Sequence, residues 1–293
     1  LVKRFKIYLW TYLFLKGENM PITDSQLNSL KAYVCPTCKH RLRLTEKKLE
    51  CMDCQVTYPI INGIPDFILE DLTQSKTPVL REVRKIDRLS RIYETKLWYP
   101  LVLNLYGGLG APGLKTLVRI IEEMIESHKG VILDIACGPG TMGRRIASVS
   151  RTVYGIDISM GMLQRGLSYS KQENIPNIYF ARARAEAIPF PDLMFDASIC
   201  SGALHLFADT LVVLKEISRV MKEGASLAIM TFIAGKKGIL RFSKICEHLK
   251  DKHGIHVFKV PELEHYLNET GFELVRKEVY GSILVFSAQK RKK

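Results

Sequence analysis

Four of the seven cysteines lie in two closely spaced pairs. Cys35 and Cys38 form one C-x-x-C pair, Cys51 and Cys54 form the other, and twelve residues separate them. Each pair can present two thiolates from one tight turn, and four thiolates form a tetrahedral zinc site with no open coordination position. Two disulfides or a redox dithiol are alternatives, but disulfides need an oxidising compartment, and the other three cysteines are scattered single thiols. The spacing therefore predicts a zinc ribbon with a structural Zn²⁺.

A second group of residues has the spacing of a nucleoside-binding site. The stretch 131–143, VILDIACGPGTMG, predicts a strand, a tight glycine-rich turn and the start of a helix. In this order, backbone N–H groups and a helix N-terminus face a ligand. A second predicted strand, residues 152–158, carries Asp157 near its end, seventeen residues beyond Gly140. A carboxylate at that place can accept hydrogen bonds from a ribose diol, so the pattern predicts a nucleoside-type cofactor.

The glycine spacing alone fits two cofactors. Gly138, Gly140 and Gly143 form G-x-G-x-x-G, which weakly favours a dinucleotide such as NAD. Shifted by two residues, the same stretch contains Asp134, Ala136, Gly138 and Gly140 at alternate positions. This resembles the first motif of class I S-adenosylmethionine (SAM) methyltransferases, with alanine where that family usually has its first glycine. Spacing does not separate the two cofactors.

Later segments resemble the same class. Residues 184–196, RAEAIPFPDLMFD, resemble the stretch after the third strand in the SAM methyltransferases that include menaquinone and ubiquinone biosynthesis enzymes. Residues 214–232 resemble the helix and strand that follow there, with a turn expected at 222–224. Two adjacent strands expected at 272–279 and 282–288 match the antiparallel last strand of that class, which a dinucleotide-binding fold does not require. The resemblance implies an α/β, Rossmann-like class I methyltransferase sheet of seven strands, the last antiparallel, and SAM as the cofactor.

The resemblance also implies which residues bind SAM. In the D-A-E-x-L-P-F pattern of that family an acidic residue binds the adenine amino group, and Arg184 stands in its place here. Because arginine has no hydrogen-bond acceptor, the adenine contact is expected from the Ala185 backbone or the Glu186 side chain. The cofactor-binding residues expected in this chain are Tyr93, Asp134, Ala136, Gly138, Gly140, Asp157, Ile158, Ala185, Glu186 and Ser201.

Two further residues have candidate roles. The loop 201–207 follows the fourth strand, and because ligands bind at the carboxyl ends of strands in such sheets, it should face the methyl acceptor. His205 in this loop is a candidate general base, and a histidine that packs within the loop is the alternative. Tyr93 lies in a helical segment that resembles the lid of class I methyltransferases. It could pack against SAM there, or the helix could simply bury its aromatic residues.

The run from Cys35 to Phe67 resembles the zinc ribbon of the Trm112 group, which often serves methyltransferases as a partner or fused accessory. The expected organisation is a leader at 1–30, a zinc-ribbon module at 31–70, a linker and helical lid at 71–128, and a SAM-binding domain at 129–293. The apolar run 7–15 in the leader is far shorter than the roughly 20 residues that a membrane helix needs. The leader is therefore expected to be an over-extended start or an amphipathic segment that contacts a membrane surface.

The formal net charge of +13 permits binding to RNA, to an anionic membrane or to an acidic protein. The sequence predicts a cytoplasmic SAM-dependent methyltransferase with a small-molecule or lipid-like acceptor. Methylation of a ring nitrogen in ribosomal or transfer RNA is the alternative, because a zinc ribbon also precedes a class I domain in a ribosomal-RNA guanine methyltransferase. A non-catalytic SAM-binding adaptor and an NAD-binding protein are the remaining alternatives. The acceptor atom and the oligomeric state are not predicted.

Overall fold

The computed structural model describes residues 24–75, 97–108, 111–125, 130–147, 152–235 and 239–292. The strands are β1 Leu42–Thr45, β2 Lys48–Cys51, β3 Thr57–Ile61, β4 Ile64–Pro65, β5 Val131–Ile135, β6 Thr152–Asp157, β7 Ile178–Arg182, β8 Phe195–Ser201, β9 Met221–Phe232, β10 Phe272–Tyr280 and β11 Ile283–Lys290. The helices are α1 Asp24–Leu30, α2 Trp98–Gly107, α3 Leu114–Met124, α4 Thr141–Ala147, α5 Met160–Gln172, α6 Thr210–Val220, α7 Ser243–His253 and α8 Val260–Glu269. Short 3-10 turns lie at Leu72–Gln74, Leu204–Leu206 and Ile239–Arg241.

The larger sheet has seven strands in the order β10-β11-β9-β8-β5-β6-β7. The strands from β9 to β7 pair in parallel, and β11 lies antiparallel between β9 and β10. The predicted seven-stranded sheet with an antiparallel last strand is therefore confirmed. The strand order reverses between β5 and β8, and in sheets of this kind ligands bind at the carboxyl ends of the strands at that point.

The pattern of buried residues explains why these elements form. Residues 117, 118, 120, 121 and 124 of α3 are buried, which is the spacing of one apolar helix face. In β5, Leu133 and Ile135 belong to one hydrophobic cluster and Ile132 to a second, so both faces of the strand are covered. Ser159 begins α5 by accepting a hydrogen bond from a backbone N–H of the first turn, as Asp209 does for α6.

The N-terminal ribbon packs against the edge of the large sheet. Its strands β1 to β4 form a separate antiparallel sheet. The ring of Tyr33 lies 4.8 Å from that of Phe190, 5.4 Å from Phe67 and 5.9 Å from Tyr154, measured between centroids. Lys39 forms a 3.2 Å ion pair with Glu216 across the same interface. Residues from both parts thus share one buried cluster.

Some expectations concern residues outside the described ranges. The lid residue Tyr93 and most of the leader 1–30 lie there. Within the described part of the chain, no helix has the length and apolar character needed to span a bilayer.

Candidate cofactor site and metal centre

The turn between β5 and α4 brings the glycine motif against the end of β6. The Gly138 N–H donates to Asp157 Oδ2 at 2.8 Å, and the Ser159 N–H donates to Asp157 Oδ1 at 2.8 Å. These bonds fix the carboxylate between the glycine turn and the start of α5. A carboxylate oxygen has two lone pairs, so it can accept more than one hydrogen bond.

Asp134 lies behind the turn and holds its far end. Its Oδ2 accepts a 3.0 Å hydrogen bond from the Gly143 N–H in the first turn of α4. A Cβ on Gly143 would lie 2.8 Å from this oxygen, so the close approach requires glycine. Burial, opposed by the Gly143 bond and reinforced by the charge of Asp157, raises the pKa of the Asp134 carboxyl to about 8. Asp134 is therefore mostly protonated at neutral pH, and its role is to shape the turn.

The backbone explains why the motif usually has glycine at the position of Ala136. Ala136 adopts a φ of +50°, in the left-handed region, and Gly138 and Gly140 follow with φ of +55° and +71°. Glycine enters this region without the steric cost that a Cβ imposes, and alanine bears that cost here. The turn therefore keeps the glycine-type conformation despite the substitution.

The described residues of the predicted cofactor set converge at the carboxyl ends of the parallel strands. Asp134, Ala136, Gly138 and Gly140 lie at or after the end of β5, Asp157 and Ile158 at the end of β6, Ala185 and Glu186 after β7, and Ser201 at the end of β8. These strand ends include those of β5 and β8, between which the strand order reverses. The arrangement has the glycine turn, the buried carboxylate and the neighbouring loops that a nucleoside cofactor requires.

Arg184 is held by two carboxylates. Its Nη1 donates to Glu70 Oε1 at 3.0 Å, and its Nε lies 3.6 Å from Glu186 Oε2. Glu186 is thus an ion-pair partner of the residue that replaces the family's acidic group. Glu70 is a contact that the sequence analysis missed, because 114 residues separate it from Arg184 and no local pattern connects the two.

His205 is packed rather than exposed. It is 4% exposed, its Nδ1 lies 3.3 Å from Thr231 Oγ1, and its ring centroid lies 4.6 Å from that of Phe232. Burial lowers the pKa of His205 to about 3. The imidazole is therefore neutral at physiological pH and a weak proton acceptor, which favours the alternative of a histidine that packs within the loop.

A half-buried histidine–carboxylate pair lies beside this loop. The backbone N–H of His256 donates to the backbone carbonyl oxygen of His205 at 2.8 Å, which joins the segment before α8 to the loop 201–207. His256 Nε2 lies 2.8 Å from Glu262 Oε1, which also accepts a 3.2 Å bond from the Tyr266 hydroxyl. The sequence analysis did not single out this pair. Its only local signal is Glu262 in the first turn of α8, a usual place for a carboxylate.

The four ribbon cysteines come together as predicted. The Sγ atoms of Cys35, Cys38, Cys51 and Cys54 all lie within 4.8 Å of one another. A tetrahedral zinc with Zn–S bonds of about 2.3 Å requires sulfur atoms roughly 3.8 Å apart, so the cluster fits the ion. The Tyr58 hydroxyl lies 3.3 Å from Cys35 Sγ and can orient that ligand.

The sheet topology, with these residues at the carboxyl ends of its parallel strands, is that of a Rossmann-like α/β domain of the class I methyltransferase type. Residues 132–224 match the family described as "Methyltransferase domain", and residues 33–63 match the family described as "Trm112p-like protein". The chain is therefore similar to methyltransferase domains over residues 132–224 and to Trm112p-like proteins over residues 33–63.

Individual relatives support the same class. An uncharacterized chloroplastic methyltransferase of Arabidopsis thaliana is 25% identical over 71% of this chain and 64% of its own length. The ubiquinone/menaquinone biosynthesis C-methyltransferase UbiE of Serratia proteamaculans is 32% identical over 47% of this chain and 58% of its own. A solved structure, phosphoethanolamine N-methyltransferase 2 of Haemonchus contortus in complex with S-adenosyl-L-methionine, shares the fold with a TM-score of 0.56 and 18% identity, over 70% of this chain and 60% of that one. The chain thus spans less than two thirds of each of these proteins.

Proposed function

We propose that this protein binds SAM at the edge formed by β5, β6 and β7 and transfers its methyl group to a small-molecule or lipid-like acceptor. The observation that carries the proposal is the buried Asp157 carboxylate, fixed by the N–H groups of Gly138 and Ser159 at the mouth of the glycine turn. In this proposal Asp157 accepts the ribose hydroxyls, and Ile158 and Ala185 lie against the adenine. Glu186 or the Ala185 backbone receives the adenine amino group.

SAM, when bound, supplies a sulfonium-linked methyl group that a nucleophile can displace in line. The protein's task in such a reaction is mainly to align the acceptor with that group and to exclude water. The turn 136–140 would pass beside the methionine part of the cofactor. Ser201, at the end of β8, and the loop that follows would face the acceptor.

The acceptor class is inferred from the relatives and from the loop. The relatives include a C-methyltransferase of ubiquinone and menaquinone biosynthesis. The segment 203–207 of this chain, ALHLF, is largely apolar. An RNA acceptor, the alternative that the net charge permits, would instead require contacts to phosphates.

Where the acceptor loses a proton on methylation, His256 is the group we assign to take it. An imidazole is a common general base in enzymes. Glu262 orients the ring through Nε2, which leaves Nδ1 free of that bond. His205 is unsuited to this role, because burial lowers its pKa to about 3. His256→Asn should therefore reduce turnover of an ionisable acceptor more than SAM binding, whereas loss of both together would remove this assignment.

We further propose that the ribbon binds one structural Zn²⁺ through its four cysteines. The support is the donor set and the clustering of the four Sγ atoms. A module of this size buries little apolar surface, and a bound metal would contribute to its stability. Metal analysis of the purified protein should find about one zinc per chain.

Methyl transfer is tested with SAM that carries a labelled methyl group, offered with quinols, phenols and RNA. Transfer to a quinol or phenol that is insensitive to salt supports the proposal. Transfer to RNA that weakens steeply as salt is raised would replace the small-molecule acceptor with the RNA alternative, because phosphate contacts release counterions. SAM binding without transfer to any of these acceptors would favour the adaptor alternative.

A further inference from the structure

The chain that leaves the ribbon runs along the edge of the large sheet, toward the cofactor loops. Asp66 pairs with Arg182 as an isolated parallel bridge, and the Phe67 N–H donates to the Arg182 carbonyl oxygen at 2.8 Å. Arg182 is the last residue of β7. The segment 66–72 therefore begins at the carboxyl end of β7, the end at which the predicted site lies. We call it the exit segment.

One largely buried ion pair links the exit segment to the loop after Asp157, with the Arg182 side chain 19% exposed. The Asp66 side chain is 9% exposed, and its two oxygens lie 3.0 and 3.3 Å from Arg182 Nη1. The Nε of the same guanidinium donates to the carbonyl oxygen of Ile158 at 2.9 Å. Arg182 thus connects a ribbon carboxylate to the residue that follows the proposed ribose ligand. A buried pair of this kind is costly to break, because removing one partner leaves the other uncompensated.

Apolar packing makes the same connection. Ile68 and Leu72 are 4% and 2% exposed and form a small cluster of their own, against which the half-buried Ile158 packs. Ile158 is a predicted cofactor-binding residue, and in the proposed function it lies against the adenine. One side of this residue is therefore fixed by the exit segment, which leaves the partly exposed remainder of the side chain for a ligand.

The exit segment also contacts Arg184, on the adenine side of the proposed site. Glu70 pairs with Arg184 at 3.0 Å, and Arg184 occupies the position at which the family has its adenine-binding acid. A guanidinium cannot accept a hydrogen bond from the adenine amino group. Its ion pairs with Glu70 and Glu186 bring carboxylate oxygens, which can accept one, to this part of the site.

We propose that the exit segment, residues 66–72, is part of the cofactor site and that Asp66 is a positioning residue for SAM, acting through Arg182 on Ile158. This inference rests on the proposed function, because it concerns the same site.

The test is calorimetric titration of SAM into the full-length chain and three variants. Asp66→Asn should weaken SAM binding about tenfold, because the neutral amide holds Arg182 less firmly. Lys39→Gln is the matched control: Lys39 also crosses the ribbon interface, but its partner is Glu216 on α6. It should leave SAM affinity within twofold of wild type. Glu70→Gln, which alters an exposed side chain, should weaken binding severalfold and provides a variant that does not threaten folding.

A double-mutant cycle separates positioning from general destabilisation. In an Ile158→Ala background, Asp66→Asn should cost little additional SAM affinity, because the residue through which it acts is already truncated. Additive losses, equal weakening by Lys39→Gln, or unchanged affinity in Asp66→Asn and Glu70→Gln would each overturn the inference. If the wild-type chain itself fails to bind SAM, the proposed function fails, and this outcome is distinct because it needs no variant.

Discussion

Replacing Asp134 by asparagine tests the protonation state that the structure assigns to the centre of the site. Burial raises the pKa of this carboxyl to about 8, whereas an aspartate in the unfolded chain has a pKa of about 3.9. Between these values the folded state holds a proton that the unfolded state has released. Stability must therefore fall as pH rises across this window. Asparagine keeps an oxygen for the Gly143 N–H but cannot ionise.

The magnitude follows from the two pKa values. One proton held only by the folded state changes the free energy of unfolding by about 1.4 kcal/mol per pH unit. From pH 5 to pH 7 the wild-type protein should lose roughly 3 kcal/mol through Asp134, and Asp134→Asn should not. The free energy of unfolding of Asp134→Asn, measured relative to wild type, should therefore increase by that amount between pH 5 and pH 7.

Urea denaturation followed by circular dichroism at pH 5, 6 and 7 measures this difference, and titrating groups common to both proteins cancel. Asp251→Asn, at an exposed position of α7, is the matched control for the loss of one aspartate. Parallel curves for wild type and Asp134→Asn would refute the reasoning, because they would mean that Asp134 is ionised in the folded protein.

Other predictions concern the turn, the packed histidine and the metal. Ala136→Gly should raise the free energy of unfolding by about 0.5–1 kcal/mol, because it relieves the left-handed conformation; urea denaturation measures the change, and a loss of stability would contradict the prediction. The imidazole resonances of His205 should stay constant from pH 5 to pH 8 in a nuclear magnetic resonance titration, since burial lowers its pKa to about 3, and a midpoint near 6.5 would contradict this. Removal of zinc by a chelator should lower the melting temperature of the entire cooperative transition, because the ribbon shares its core with the large sheet, and an early separate transition of the ribbon would contradict this.

Local patterns were sufficient for the strands and turn that form the proposed site. The apolar run, glycine turn and second strand predicted β5, the start of α4 and β6, because these features depend on neighbouring residues. The C-terminal hairpin was predicted from its two apolar strands, and β11 lies antiparallel as expected. The clustering of the four ribbon cysteines also followed from spacing alone.

Features that depend on distant residues were not predicted. The turn expected at 222–224 lies inside β9, which runs from Met221 to Phe232, and Gly224 there adopts a φ of +73°. Pairing of Met221 with Phe195 begins the strand early, and the ladder then shifts register before it continues at Ser226. The Asp66–Arg182 pair spans 116 residues, so no local pattern could indicate it. Long-range pairing decides both features.

Calorimetric titration of SAM, and separately of NADH, into the zinc-loaded protein and Asp157→Asn tests the central claim most directly. The account predicts SAM binding by the wild-type protein and at least a tenfold loss in the variant. The amide cannot accept from both the Gly138 and Ser159 N–H groups and also hold the ribose. NADH binding without SAM binding would contradict the account and assign the glycine turn to a dinucleotide.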